Sequence, residues 1–150
     1  MPFHPLSLIE KSAVVPYSAD EMYALVNDIE SYPRFLPWCT EARILEPGER
    51  EQTASVSLAS GPVRQTFTTR NTMQPGRRID VRLLSGPFSR LNGRWEFDPQ
   101  GERDCRIAFR MEFEFKNRLL RLSLQKVFHL IVNSLVESFT RRAEQLHGRR

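Results

Sequence analysis

The chain has 150 residues, of which 40% are hydrophobic and 27% charged, the balance of a soluble globular protein with one core. No apolar run approaches the roughly 20 residues of a membrane-spanning helix, and no basic region precedes a long apolar core at the N-terminus, so we predict neither a spanning segment nor a signal peptide. The net charge is +4, with 19 Arg and 3 Lys against 18 acids, which leaves phosphate contact and compositional bias both open.

The first predicted elements are a strand over residues 7–15, which Pro16 ends, and a helix over about 19–28. Ser18 or Asp20 can cap this helix, because both side chains accept hydrogen bonds from the free backbone N–H groups of a first turn. The apolar positions of the helix recur at helical spacing at Met22, Leu25, Val26 and Ile29.

An irregular apolar segment, Tyr32–Cys39, follows the helix and holds three aromatic side chains and two prolines in eight residues. Pro37 breaks a regular helix and cannot sit in a central strand, so we predict a short helical turn with an extended exit. A rigid apolar segment of this kind either plugs a core or lines the mouth of a pocket.

Beyond this segment the pattern is that of an antiparallel meander, because turn signals recur about every ten residues. They are Pro47-Gly48, Gly61-Pro62, Pro75-Gly76, Gly86-Pro87 and Pro99-Gln100-Gly101. Residues 90–98 and 105–115 alternate between apolar and polar side chains, and residues 79–83 repeat this briefly. The alternation predicts a sheet with one dry face and one wet face.

Arginines on the wet strand faces alternate with acids. They are Arg90, Arg94, Arg106 and Arg110. This arrangement predicts cross-strand ion pairs, and a patch that contacts RNA is the alternative.

From about Asn117 to His147 the period becomes that of an amphipathic helix, about 42 Å long at 1.5 Å per residue. Its predicted buried stripe is Leu120, Leu124, Phe128, Ile131, Leu135, Phe139 and Leu146. Leu119, Leu122 and Leu130 lie off this stripe, so the first half is either buried on several sides or exposes a patch. Such a patch would meet a membrane, a partner or the Tyr32–Cys39 segment.

The end of this helix carries an anomaly, because Arg142 projects onto the apolar stripe. Its charge must lie past the sheet edge, reach water, pair with an acid or anchor the polar end of a ligand. The last residues, 148–150, are predicted to be a frayed end.

The predicted class is α+β: a strand, short helices, six strands and one long helix. Seven strands about 4.8 Å apart form a sheet near 30 Å wide, whereas one helix is about 10 Å across. The sheet must therefore curl around the helix, and we expect the Tyr32–Cys39 segment to close one end. The interior is then either filled by side chains or hollow.

Four motifs occur in order along nearly the whole chain: Val14-Val15-Pro16-Tyr17-Ser18, the Tyr32–Cys39 segment, Gly86-Pro87-Phe88 with the strand after it, and Phe139-Thr140-Arg141-Arg142-Ala143. Together they resemble the coenzyme Q-binding and RatA branch of the START-like superfamily, often labelled polyketide or oligoketide cyclases. The resemblance implies a helix-grip fold in one START-like domain over residues 1–150, with a core over about 7–147. It also implies a hydrophobic cavity between sheet and helix.

The resemblance implies three functions on one fold, so fold alone does not choose among them. Mitochondrial members resemble ubiquinone carriers that support respiration, and RatA members are toxins that bind the large ribosomal subunit and block subunit association. We predict non-catalytic binding of a polyprenyl quinone such as ubiquinone, or of a similar lipid. The RatA role is the first alternative and polyketide cyclisation the second.

Aromatic faces suit stacking on a quinone ring, and they guide the choice of ligand-binding residues. The predicted residues are Tyr32, Phe35, Leu36, Trp38, Phe88, Leu91, Trp95, Phe128, Ile131 and Leu135. We expect a cytoplasmic protein that touches the inner membrane transiently, requires no cofactor and binds no DNA.

No catalytic or metal-binding constellation is visible, because His4, His129 and His147 belong to no nucleophile or metal motif. Cys39 and Cys105 form no CxxC pair, so reduced thiols are expected. We therefore predict no enzyme activity, no catalytic residue and no metal.

Overall fold

The computed structural model describes residues 6–150. Its strands are β1 (Ser7–Val15), β2 (Cys39–Glu46), β3 (Glu51–Ser60), β4 (Val63–Gln74), β5 (Arg78–Ser85), β6 (Phe88–Pro99) and β7 (Cys105–Phe115). Its helices are α1 (Ala19–Asn27), a 3₁₀ helix (Ile29–Arg34) and α2 (Arg118–His147). The strands form one antiparallel sheet in the order β1-β7-β6-β5-β4-β3-β2, which confirms the predicted α+β class.

Local sequence accounts for the first helices. The Ser18 side chain accepts from the Glu21 N–H, and the Glu21 carboxylate accepts from the Ser18 N–H, which is a capping box that fixes where α1 begins. Pro33 is accommodated within the short 3₁₀ helix, as expected for the Tyr32–Cys39 segment.

The predicted alternation holds in the central strands. In β6 and β7 the inward residues are buried, and Trp95 of β6 pairs with Phe109 of β7 on the concave face. Each predicted turn signal lies at a strand end or in a strand connection. The concave face of the sheet therefore forms one wall of the core, and α2 forms the other.

The long helix begins where Asn117 accepts a hydrogen bond from the Leu120 N–H. Its buried residues are Leu124, Phe128, Ile131, Val132, Val136, Phe139 and Ala143. The prediction that Leu146 belongs to this stripe is wrong, because it lies beyond Ala143, the last buried position, and is 53% exposed. Leu135 of the predicted stripe is half-buried.

The predicted frayed end at 148–150 is also wrong. The Tyr17 hydroxyl donates to the Gly148 carbonyl at 2.8 Å, and Arg150 forms two hydrogen bonds to Glu21 at 2.7 and 3.0 Å. The Arg150 hydrogen bonds lower the pKa of Glu21 to about 2, with help from the Ser18 N–H. The C-terminus is thereby held against α1.

Candidate functional site

Five phenylalanine rings fill the space between the sheet and the first half of α2. They are Phe67, Phe88, Phe113, Phe115 and Phe128. The Phe128 ring centroid lies 4.8 Å from that of Phe113 and 4.9 Å from that of Phe88, within the range of favourable aromatic pairs. We call this set the inner aromatic cluster.

The free space beside the inner aromatic cluster is a cavity of about 10 Å³. Its lining is Leu58, Gln65, Phe67, Pro87, Phe88, Phe115, Leu124, Val127 and Phe128. A single water needs at least about 10–15 Å³ of such space, so side chains fill the interior beside the inner aromatic cluster.

A second aromatic group lies at the other half of α2. The rings of Tyr32, Phe35 and Trp95 each lie 5.4 Å from the ring of Phe139, edge to face. The Tyr32 hydroxyl donates to the Val26 carbonyl, and burial raises the pKa of Tyr32. The Tyr32–Cys39 segment thus packs onto the helix and closes this end of the core.

The charge of Arg142 is explained by this group. Its guanidinium lies 5.1 Å from the centroid of the Phe35 ring, a cation–π distance, and it donates to the Gln145 side chain. Arg142 therefore covers Phe35 from the solvent side with its charge still at the surface.

The ten predicted ligand-binding residues do not form one contiguous pocket. Phe88 and Phe128 belong to the inner aromatic cluster, whereas Tyr32, Phe35 and Trp95 surround Phe139. The two groups are about 16 Å apart along α2, at 1.5 Å per residue. Leu36, Leu91 and Ile131 are buried in the common core, and Leu135 packs against it.

Trp38 connects the Tyr32–Cys39 segment to the cavity. Its carbonyl accepts from the Ala59 N–H at 2.8 Å, beside the cavity residue Leu58. Its ring is half-buried, and its indole Nε1 is shielded from water with no hydrogen-bond acceptor among residues 6–150. An unpaired donor of this kind costs stability.

Sequence reasoning missed a buried polar group on the concave face. Gln52 donates to the Asn27 side chain at 3.2 Å, and Thr69 donates to Asn71 at 2.9 Å. The signal was available, because Gln52 alternates with the inward residue Ala54 on β3. These hydrogen bonds satisfy buried polar side chains of β3 and β4.

The outer face of the sheet carries the four wet-face arginines, and two of them form ion pairs. Arg94 contacts Asp80 at 2.8 Å and Arg110 contacts Glu112 at 3.4 Å. Among residues 6–150, neither Arg90 nor Arg106 is paired with a carboxylate, although Arg106 donates to Ser12 at 3.1 Å.

Arg106 also borders an open hollow of about 440 Å³ on the outer face. The hollow is lined by Gln74, Arg77, Arg78, Glu96, Phe97, Asp98, Arg106 and Ala108. Arginine side chains around an open hollow suit phosphate groups more than apolar ligands.

His129 and His147 lie at separate places on α2. His129 is half-buried, 3.2 Å from the Ser7 hydroxyl and against the Phe113 ring. His147 lies 3.5 Å from Glu21 at the C-terminal end, and His4 lies outside the described residues. Cys39 and Cys105 are buried and free.

A curled antiparallel sheet around a long C-terminal helix is the helix-grip arrangement of START-like proteins. The Zhui aromatase/cyclase from Streptomyces sp. R1128 shares it, with a TM-score of 0.83 over 94% of this chain and 95% of its own, at 18% identity. At that identity the likeness concerns the fold alone.

The chain belongs to the family described as polyketide cyclase / dehydrase and lipid transport, which matches residues 15–140 and confirms the predicted resemblance. The ribosome association toxin RatA of Escherichia coli K12 is 44% identical over 142 residues, 95% of this chain and 90% of that protein. The mitochondrial coenzyme Q-binding protein COQ10 homolog B of Xenopus laevis is 27% identical, over 93% of this chain and 59% of its own. These two relatives are named for association or binding and not for catalysis.

Proposed function

We propose that this chain is a ribosome-associating protein of the RatA kind, which binds the large subunit in the cytoplasm and catalyses no reaction. The observation that carries the proposal is the 44% identity to a ribosome association toxin over 95% of the chain. This reverses the order of the two functions expected from the family resemblance, in which quinone binding came first.

The filled interior supports the proposal. A cavity of about 10 Å³ offers no preformed site for a small molecule, since ligand pockets measure about 300–1,000 Å³. A function exerted by the outer surface needs no such pocket.

The outer face of β6 and β7 is the surface that we propose for the ribosome. Arg90 and Arg106 form no ion pair with a carboxylate of residues 6–150, although Glu114 and Asp98 lie opposite them in the β6–β7 register. Arg106 also borders the open hollow. Ribosomal RNA presents phosphates at high density, and guanidinium groups bind phosphates in a bidentate manner. Arg94 and Arg110 are already paired and contribute less.

Sedimentation of a cell extract through a sucrose gradient tests this proposal. The protein is expected in large-subunit fractions at low salt and at the top of the gradient at high salt, because phosphate contacts weaken as salt rises. Arg90→Gln combined with Arg106→Gln should weaken the association. Arg118→Gln with Arg121→Gln removes the same charge from α2 and serves as the matched control. A protein that never enters ribosomal fractions would contradict the proposal.

We also propose that the interior opens to admit an apolar ligand such as a polyprenyl quinone. Gln65 is the one polar residue in the cavity lining, and the relative named for coenzyme Q binding belongs to the same family. The first half of α2 must move away from Phe88 to make room, at the expense of the ring contacts with Phe128. The ten predicted ligand-binding residues stay candidates for this opened state.

Organic extraction of the purified protein followed by mass spectrometry tests the ligand. A quinone or another polyprenyl lipid is expected, and added ubiquinone should raise the melting temperature. Val127→Phe adds bulk to the cavity lining and should reduce uptake, whereas Val14→Phe on the exposed side of β1 should not. Extraction of no lipid together with an unchanged melting temperature would refute ligand binding and leave the ribosomal proposal standing.

A further inference from the structure

The outward side of α2 carries a second apolar stripe, opposite the buried one. Leu119, Leu122 and Leu130 are 74%, 70% and 66% exposed. Steps of three, four and four residues put Lys126 on the same helix face, between Leu122 and Leu130. This outer leucine stripe runs about 16 Å along the helix axis.

The charges around the outer leucine stripe have one sign. The cations are Lys116, Arg118, Arg121 and Lys126, and no Asp or Glu occurs from residue 116 to residue 136. None of these four cations forms an ion pair with any carboxylate of residues 6–150. The second half of α2 is different, because Arg141 pairs with Glu137 there.

We propose that the outer leucine stripe docks on the surface of an anionic phospholipid bilayer, with α2 parallel to that surface. Leucines that enter the boundary between headgroups and acyl chains leave water, and the flanking cations meet lipid phosphates. An RNA surface would satisfy the cations but offers no apolar layer for three exposed leucines. The combination of both features on one helix face therefore favours lipid.

The packing of α2 restricts the mode of docking. In contrast to the expectation from the sequence, α2 is by length and composition apolar enough to cross a membrane. Its inward face, however, holds Phe128 and Phe139 against the sheet, and crossing would expose the whole concave face. Docking by the outward face leaves these contacts intact.

Flotation with lipid vesicles tests this docking, with the full chain and two vesicle compositions: phosphatidylglycerol mixed with phosphatidylcholine, and phosphatidylcholine alone. The protein is expected to float with the first and to bind the second at least about tenfold more weakly. Three variants divide the contributions: Leu119→Gln/Leu122→Gln/Leu130→Gln, Arg118→Gln/Arg121→Gln, and a control. The control is Arg50→Gln/Arg103→Gln, which removes two exposed arginines at the opposite end of the sheet.

The leucine variant should lose at least about 100-fold in vesicle affinity, because each buried leucine contributes strongly. The double variant at Arg118 and Arg121 should lose about 30-fold, at about fivefold per cation, and the control less than about threefold. All three should keep the wild-type melting temperature, since the altered side chains are exposed, apart from the half-buried Arg121.

Several results would overturn the docking proposal. They are absence of flotation with anionic vesicles, equal binding to neutral vesicles, or an equal loss in the control variant. Loss of large-subunit association in the leucine variant, with vesicle binding retained, would assign the outer leucine stripe to the ribosome instead.

Discussion

Replacement of Phe128 with alanine tests whether the interior is filled. Phe128 is 4% exposed and its ring lies within 4.8–6.4 Å of four other rings, centroid to centroid. The change removes about 100 Å³ of side chain, which at about 24 cal/mol per Å³ costs ~2.4 kcal/mol if the cavity does not collapse. The lost transfer of the ring from water adds about 2 kcal/mol. We therefore expect the free energy of unfolding to fall by ~4 kcal/mol.

Urea unfolding followed by circular dichroism measures this change. Leu130→Ala, two residues along the same helix but exposed, is the matched control and should cost less than about 0.5 kcal/mol. The enlarged apolar cavity should also bind benzene, which would raise the melting temperature of the variant and not of the wild type. A loss below about 1.5 kcal/mol for Phe128→Ala would refute the filled interior, because it would mean that the ring borders open space.

Three further predictions follow from the contacts of individual residues. Glu21→Gln should destabilise the protein above about pH 5, and the difference in stability from wild type should vanish as pH falls from 4.5 toward 2, because the folded-state pKa of Glu21, about 2, lies below the ordinary value. Urea unfolding at a series of pH values measures this difference. A difference that persists at pH 2 would contradict the Arg150 contact. Burial raises the pKa of Cys39 and Cys105 to about 11, so a thiol reagent at pH 8 should label both cysteines slowly in the folded protein and rapidly in urea. Rapid labelling of the folded protein would show that the core opens. Trp38→Ala should lower the free energy of unfolding by about 1–2 kcal/mol, less than the 3–5 kcal/mol typical of a buried ring, because the Trp38 ring is half-exposed and its unpaired N–H is removed as well. A loss of ligand uptake without this loss of stability would make Trp38 a gate.

Much of the fold could be predicted because its signals are local. The period-2 pattern through Trp95 and Phe109 depends only on a sheet with one wet face, and turn residues such as Gly86-Pro87 interrupt it at regular intervals. The bounds predicted for the first strand match β1. The capping box at Ser18 likewise depends on residues within one helical turn.

The features that the sequence did not predict depend on contacts between residues that are distant in sequence. Arg150 is 129 residues from Glu21, so nothing near the C-terminus indicates that the end is held. The filling of the interior is of the same kind, because its rings come from β4, β6, β7 and α2, and only their relative placement determines the remaining space. The sequence therefore predicted the apolar walls but left the volume between them open.

The outer arginines show how far charge patterns can be interpreted. The expected cross-strand ion pair forms at Arg94, whereas Arg110 pairs along its own strand with Glu112. The prediction for the four arginines as a set could not separate these from Arg90 and Arg106, because the pairing depends on the rotamers of neighbours.

The most direct test of ribosome association is the salt dependence of binding to purified large ribosomal subunits. The logarithm of the affinity should fall linearly with the logarithm of the salt concentration. Each phosphate contact should add about 0.7–0.9 to the magnitude of the slope. Arg90→Gln/Arg106→Gln should reduce the slope by about 1.4–1.8, whereas Arg118→Gln/Arg121→Gln should leave it unchanged. Absence of binding at low salt, or a slope unaffected by the outer-face variant, would contradict the account.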